Sequence, residues 1–247
     1  MAAYILHITI LQKKVSDIIA IHEMIEEFNN LNNNASGCII VESTKKGCVL
    51  KDKKTFMTYL LNLDEYERIV GQSNNHILKK IIKKKDLNIL DCTGGFARDS
   101  AIISSFGNTV TLIENNPVIM RVLHDAISRI NSATMNNIFN NITTKFGDCV
   151  DFIRTTNKKY DYIYFDFMFN INKSALPLKK DQFLRKIVHN DVQRNQSIID
   201  EVLHRVGCKV IIKEHAKSND YKHLDIINTY KEKIVKYHLL KGKNENY

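Results

Sequence analysis

Apolar residues fall along this chain in two patterns, and their alternation through the second half predicts the fold. Residues 87–90, Leu-Asn-Ile-Leu, form a short apolar run ending at Asp91, as a buried parallel strand does when it delivers a carboxylate to the edge of a sheet. Residues 98–105 then read as a helix, and the unit repeats. A second strand, 108–113, ends in Glu114, and Asn115-Asn116-Pro117 opens a helix with proline in its first turn. A third strand, 142–146, closes at Gly147-Asp148-Cys149, and a fourth, 160–165, delivers Asp166-Phe167-Met168-Phe169. Apolar runs at 206–213 and 234–240 read as the fifth and sixth strands, and a helix over 74–84 leads into the first. Such βαβ alternation predicts an α/β fold with a parallel sheet that binds its ligand at the carboxyl edge.

The first 62 residues follow a different rhythm. Residues 4–10 are β-rich, and Val15, Ile18, Ile21, Ile25 and Phe28 recur at helical spacing. Strands at 38–42 and 48–51 flank a Thr44-Lys45-Lys46-Gly47 turn, and 55–60 forms a further strand. The expected organisation is a small α/β appendage over 1–62 followed by the main domain over 63–247.

Composition narrows the classes. With 247 residues, 44% apolar and 26% charged, the chain can bury a core and is not disordered. The run at 5–11 is interrupted by His7 and Thr9, which argues against a secretion signal, and no apolar stretch reaches the roughly 20 residues of a membrane span. A cytoplasmic protein is expected, with no membrane partner. Five scattered cysteines, none in a Cys-x-x-Cys pair, read as free thiols, and nine histidines without ligand spacing argue against a metal centre. The net charge of +9 suits a polyanionic partner, although lysine runs such as Lys83-Lys84-Lys85 also serve as solvated helix ends.

The turn after the first strand carries the candidate chemistry. Gly94 and Gly95 let a ligand approach the backbone closely. A pyrophosphate-binding turn has the form Gly-x-Gly-x-x-Gly, whereas this one begins with Asp91, which would repel a phosphate. A cationic ligand with an amino-acid end fits better, and S-adenosyl-L-methionine is such a ligand. Glu114, some 20 residues beyond Asp91, stands where an acidic residue accepts from ribose hydroxyls. Asp148 stands where a carboxylate can accept from an adenine amine. Asp166 with Phe169 could hold an amine-bearing base by its amine and its flat face. Lys173, Lys179, Lys180, Arg185 and Lys186 follow as a basic loop and helix able to meet phosphates.

Taken in order, Asp91-Cys92-Thr93-Gly94-Gly95-Phe96-Ala97-Arg98-Asp99, Leu112-Ile113-Glu114-Asn115-Asn116-Pro117-Val118, Tyr164-Phe165-Asp166-Phe167-Met168-Phe169 and Lys173-Ser174-Ala175-Leu176 resemble the methyltransferase J family of small-subunit ribosomal RNA guanine-N2 methyltransferases. The resemblance implies a Rossmann-like class I methyltransferase sheet, S-adenosylmethionine as cofactor and ribosomal RNA or the small ribosomal subunit as partner. It implies cofactor contacts at Arg98 and Asp99, Glu114 and Asn115, Asp148 and Cys149, and Asp166, with Asp166 and Phe169 at the target guanine. The chain departs from the family pattern at Ala97 (usually Gly), Asn115 (usually Arg), Asp148-Cys149 (usually two serines), Phe167 and Asn170 (both usually Pro). Counting strands as above also leaves only 245–247 for the seventh, antiparallel strand of such a sheet. Two other readings remain open: a class I methyltransferase for another RNA, DNA or protein, and a non-catalytic RNA-binding relative.

Overall fold

The computed structural model describes residues 39–168, 179–188 and 191–244; the expectations at 4–10 and 15–28, at Phe169 and at Lys173 lie outside them. Strands β1 (Ile39–Thr44), β2 (Gly47–Asp52) and β3 (Thr58–Leu60) form an antiparallel sheet in that order. Ile39, Val41, Cys48 and Leu50 alternate inward, the signature of a sheet with one covered face. The β1–β2 turn is anchored at Gly47, where φ is +124° and an added Cβ would lie 2.5 Å from Arg129 Nε and 2.7 Å from Asp125 Oδ2. Both side chains brace the sheet: Asp125 accepts from Cys48 N at 3.0 Å, and Arg129 donates to Leu61 O at 2.8 Å.

The chain continues through α1 (Glu67–Gly71), α2 (Ile77–Ile81), β4 (Asn88–Asp91), α3 (Arg98–Ser105), β5 (Thr109–Glu114), α4 (Pro117–Ser128), α5 (Ala133–Phe139), β6 (Ile142–Phe146), α6 (Cys149–Thr155) and β7 (Tyr162–Phe165). It ends with α7 (Lys179–Ile187), α8 (Val192–Arg205), β8 (Lys209–His215), β9 (Asn228–Lys231) and β10 (Val235–Lys241). Seven strands make the large sheet in the order β6-β5-β4-β7-β8-β10-β9. Its first five are parallel, and β10 runs antiparallel to both β8 and β9.

The strand count needs one correction. The apolar run near 234–240 is the antiparallel strand β10, inserted between β8 and β9, and the sixth strand is β9, Asn-Thr-Tyr-Lys. An edge strand buries little, so β9 carries no apolar run and no clean alternation. The seven strands of the sheet among the described residues are complete by Lys241.

The central strands read as continuous apolar runs because both faces are covered. Leu90, Ile163, Phe165, Val210 and Ile212 meet Ile199, Val202 and Leu203 of α8 on one face. Ile89, Tyr164 and Ile211 meet Leu78 and Ile81 of α2 and Ile102 and Ile103 of α3 on the other. The three-stranded sheet packs on α4 and α7, and its inward residues share one core with Val118, Val122 and Phe183. No helix among the described residues is long and apolar enough to cross a membrane.

Candidate active site

Four strand tips meet at the carboxyl edge of the sheet, tied together by their own polar groups. Asp91, at the tip of β4, is buried and turned into its loop: Oδ1 accepts from Thr93 N at 3.0 Å and Oδ2 from Ser100 Oγ at 2.6 Å. Burial, against those hydrogen bonds, pushes its carboxyl up to about 7. Thr93 Oγ1 in turn accepts from Asp166 N at 2.6 Å, which joins the β4 loop to the tip of β7.

Gly94 is required by close approach. An added Cβ would lie 2.2 Å from Leu112 Cδ2 and 3.0 Å from Ile113 O, to which Gly94 N donates at 2.9 Å. Gly95, with φ +51°, donates its N–H to Glu114 Oε2 at 2.8 Å. Ala97 holds φ +59° at the N-cap of α3, which gives a physical reason for glycine at this position of the motif. The other oxygen of Glu114 accepts from Asn116 N at 2.7 Å, and burial raises its pKa. Asn115 beside it is exposed at the edge. Gly147 N donates to Glu114 O at 3.0 Å, and Asp148 caps α6 by accepting from Val150 N at 2.8 Å, with Cys149 buried in the first turn.

The strongest electrostatic feature lies between α3, β7 and β8. The ammonium of Lys213 sits 2.7 Å from Asp99 Oδ2 and 2.7 Å from Asp166 Oδ2, and Tyr164 OH donates to Asp99 Oδ2 at 2.5 Å. The Lys213 side chain is only 13% exposed, whereas that of Asp166 is 29% exposed and so remains open to the crevice. Against its burial, Lys213 and Tyr164 hold the Asp99 carboxyl well below the usual range. Burial pushes Asp166 up to about 6, with Lys213 opposing the rise and Asp99 adding to it. Against its own burial, Lys213 is held protonated by the two carboxylates. With all three groups ionised the cluster carries one net negative charge at the edge, which suits a ligand bearing a sulfonium and an ammonium.

Lys213 was not among the residues singled out from sequence. The local signal was slight: an apolar strand, Val210-Ile211-Ile212, running straight into Lys-Glu-His where β8 reaches the edge. The basic residues divide. Lys180 of α7 lies with its ammonium 6.0 Å from the centre of the Tyr66 ring, and burial with Arg98 nearby lowers its pKa. Arg98 and Lys179 are exposed, and Lys186 is paired with buried Asp52. Arg185 keeps a buried Nε that makes no hydrogen bond. Phe167, beside Asp166, stacks on Phe165 with ring centres 5.3 Å apart.

A 3-2-1-4-5-7-6 sheet with one antiparallel strand, a glycine turn after the first strand and acidic residues at successive tips define a class I S-adenosylmethionine-dependent methyltransferase. The family model described as "Putative SAM-dependent methyltransferase" matches residues 29–240, and the chain belongs to that family. S-adenosylmethionine is its cofactor. Similar curated proteins are ribosomal RNA small subunit methyltransferase J of Legionella pneumophila (strain Lens), 28% identical over 186 residues, 74% of this chain and 75% of the relative, and its namesake in Coxiella burnetii (strain Dugway 5J108-111), 29% identical over 170 residues, 66% and 65%. A crystal structure of a SAM-dependent methyltransferase from Neisseria gonorrhoeae superposes with a TM-score of 0.62 at 16% identity, covering 92% of this chain and 93% of that one, a likeness of fold.

Proposed function

We propose that this methyltransferase transfers a methyl group to the exocyclic N2 of a guanine in small-subunit ribosomal RNA. The observation that carries the reading is Asp166, an acceptor open to the crevice and held by Lys213 at the tip of β7, in a chain whose curated relatives are named for that RNA. We assign residues 63–247 to the methyltransferase domain and 1–62 to an appendage.

In this reading Asp91, Gly94 and Gly95 shape the cofactor turn, Asp91 by holding the loop against α3. Arg98, Asp99 and Asp166 surround the methionine end, Glu114 and Asn115 the ribose, and Asp148 and Cys149 the adenine. S-adenosylmethionine, when bound, supplies a methyl group on a positively charged sulfur. The guanine amine would attack that methyl carbon, its N–C bond forming as the C–S bond breaks, so that S-adenosylhomocysteine leaves as a neutral thioether and the surplus amine proton passes to solvent. Its lone pair is delocalised into the ring, so Asp166 helps by fixing the amine in line and accepting its hydrogen bond as positive charge develops on nitrogen. Phe169 stacks on the base, which must leave any helix it occupies, and Lys173, Lys179, Lys180, Arg185 and Lys186 meet the phosphates. For Lys186 this means sharing its charge with Asp52. Mapping modified bases in small-subunit ribosomal RNA with and without the protein tests the reading. One N2-methylguanine should depend on it; methyl transfer to protein or DNA alone would overturn the proposal.

Two further outcomes are expected. Glu114→Ala should weaken cofactor binding in calorimetry, since it removes an acceptor for one or two ribose hydrogen bonds at about 0.5–1.5 kcal/mol each. Exposed Glu65 is the neutral control, and equal affinity in both variants would remove Glu114 from the site. The second outcome concerns pH. The groups facing Asp166 are Lys213 of β8, Asp99 of α3, Asp91 of β4, itself raised to about 7, Tyr164 of β7, Tyr237 of β10 and Tyr221, with burial keeping the three tyrosines neutral. The single-turnover rate should therefore rise through about pH 6 as Asp166 ionises, and level off above it. A rate that is flat from pH 5 to pH 8 would separate Asp166 from the chemistry.

A further inference from the structure

Among the described residues the large apolar side chains left exposed are Phe56, Ile227 and Ile234; Phe56, at 77%, is the most exposed and the aromatic one. It occupies the β2–β3 turn with φ +55°, a left-handed conformation that a bulky side chain adopts only when its surroundings impose it. The surroundings are explicit. Asp52, itself buried, accepts from Lys54 N at 2.8 Å and Thr55 N at 3.2 Å, donates its own N–H to Met57 O at 2.9 Å, and pairs through its other oxygen with Lys186 of α7. A buried acid and a neighbouring helix thus build a fixed turn whose visible product is an aromatic ring held out in water.

The charge around that ring is positive. Lys53 and Lys54 are exposed in the same turn, and Asp52, the acid of the turn, is already balanced by Lys186. The turn is also joined through β3 to the cofactor turn. Three residues of near-extended chain, about 10 Å, separate Phe56 from Tyr59, whose ring lies 5.9 Å from that of Phe96 in the cofactor turn. One strand of nucleic acid could span both with a few nucleotides.

We propose that the β2–β3 turn is a second RNA contact, in which Phe56 stacks on an unpaired nucleobase while Lys53 and Lys54 hold the adjoining phosphates. An aromatic ring between cations fits a strand that offers flat bases at intervals along a charged backbone, and stacking accepts any base. This contact rests on the RNA reading above and places the appendage beside the catalytic edge as part of the substrate-binding face.

The test uses the full chain with a labelled short oligoadenylate, an abasic oligonucleotide of the same length and intact small-subunit ribosomal RNA, read by fluorescence anisotropy or competition. Wild type should prefer the oligoadenylate to the abasic strand. Phe56→Ala should lower its affinity about 5- to 150-fold, the worth of one stacked base, and narrow the preference by the same factor, Phe169 supplying what remains. Phe56→Trp should keep both. Phe56→Gly suits the left-handed backbone, so it should melt no lower than wild type and still show the narrowed preference, which sets a folding defect apart. Removing Lys53 and Lys54 should flatten the salt dependence by about 0.7 in slope per lost phosphate contact, and Phe56→Ala should leave it unchanged. Wild-type affinity in Phe56→Ala would overturn the contact while leaving the RNA reading intact. Wild-type affinity in Phe56→Leu would replace stacking by simple apolar docking. A change of mass on sedimentation in Phe56→Ala would assign the ring to a second copy of this chain. If wild type binds none of the three RNAs, the RNA reading itself fails.

Discussion

Replacing Lys213 by methionine should destabilise the protein by roughly 3–5 kcal/mol, the range for removing one partner of a buried ion pair. The size follows from what remains. Asp99 Oδ2 and Asp166 Oδ2 each lie 2.7 Å from the same ammonium, and without it two carboxylates face one another in a buried site. They answer by taking up a proton, as paired acids do. The sign with pH then reverses at Asp99. In wild type Asp99 has a depressed pKa, so its contribution is present above the ordinary aspartate value and is lost as pH falls. In the variant the pair has a raised affinity for a proton, so the native state binds more protons than the unfolded chain and stability falls as pH rises through neutrality. Urea unfolding should therefore show a smaller loss at pH 5 than at pH 8. Single-turnover methyl transfer adds a readout that packing alone would not move: the midpoint near pH 6 should shift upward in Lys213→Met and return toward 6 in Lys213→Arg. A variant as stable as wild type at pH 8, with an unmoved midpoint, would remove Lys213 from the electrostatics of the site.

Much of this architecture could be read from the order of residues because its central strands are buried on both faces. Leu87–Leu90, Val110–Ile113 and Tyr162–Phe165 show as unbroken or nearly unbroken apolar runs, each followed by an acid at a strand tip. The short elements did not show. β9 is a four-residue edge strand, and α5 and α6 are seven residues each, too short to develop a helical stripe. The glycine turn was legible in kind, since only Gly94 fits against Leu112, but the partner that imposes it comes from the neighbouring strand. The direction of a carboxylate was not legible. Asp91 could be placed at the edge, yet its oxygens are taken by Thr93 and Ser100, and Asp148 spends an oxygen on the cap of α6. Lys213 meets Asp99 across 114 positions of chain, a pairing that no local pattern encodes. Phe56 is the converse case. An aromatic residue in a strand-like run reads as core, and only the left-handed turn built by Asp52 turns it outward.

Asp166→Ala should separate chemistry from both stability and cofactor binding. Loss of one preorganised acceptor in a site of this kind lowers the rate by ~10²-fold or more, about 2.7 kcal/mol of transition-state stabilisation. Stability should change far less than in Lys213→Met, because Lys213 and Asp99 remain as a matched pair, with Tyr164 still donating to Asp99. Cofactor affinity should also change less than the rate, since Glu114, Asn115, Arg98 and Asp99 keep the proposed contacts with the cofactor. Asp166→Asn retains an acceptor oxygen but not the charge, so it should lie between alanine and wild type and lose the rise through pH 6. Phe169→Ala should instead show its loss in RNA affinity or base positioning, by roughly 1–3 kcal/mol for one stacked base. Single-turnover transfer, cofactor calorimetry and urea unfolding on the three variants give each effect its own measurement. Methyl transfer by Asp166→Ala at the wild-type rate would make the tip of β7 structural and would overturn the guanine-amine assignment.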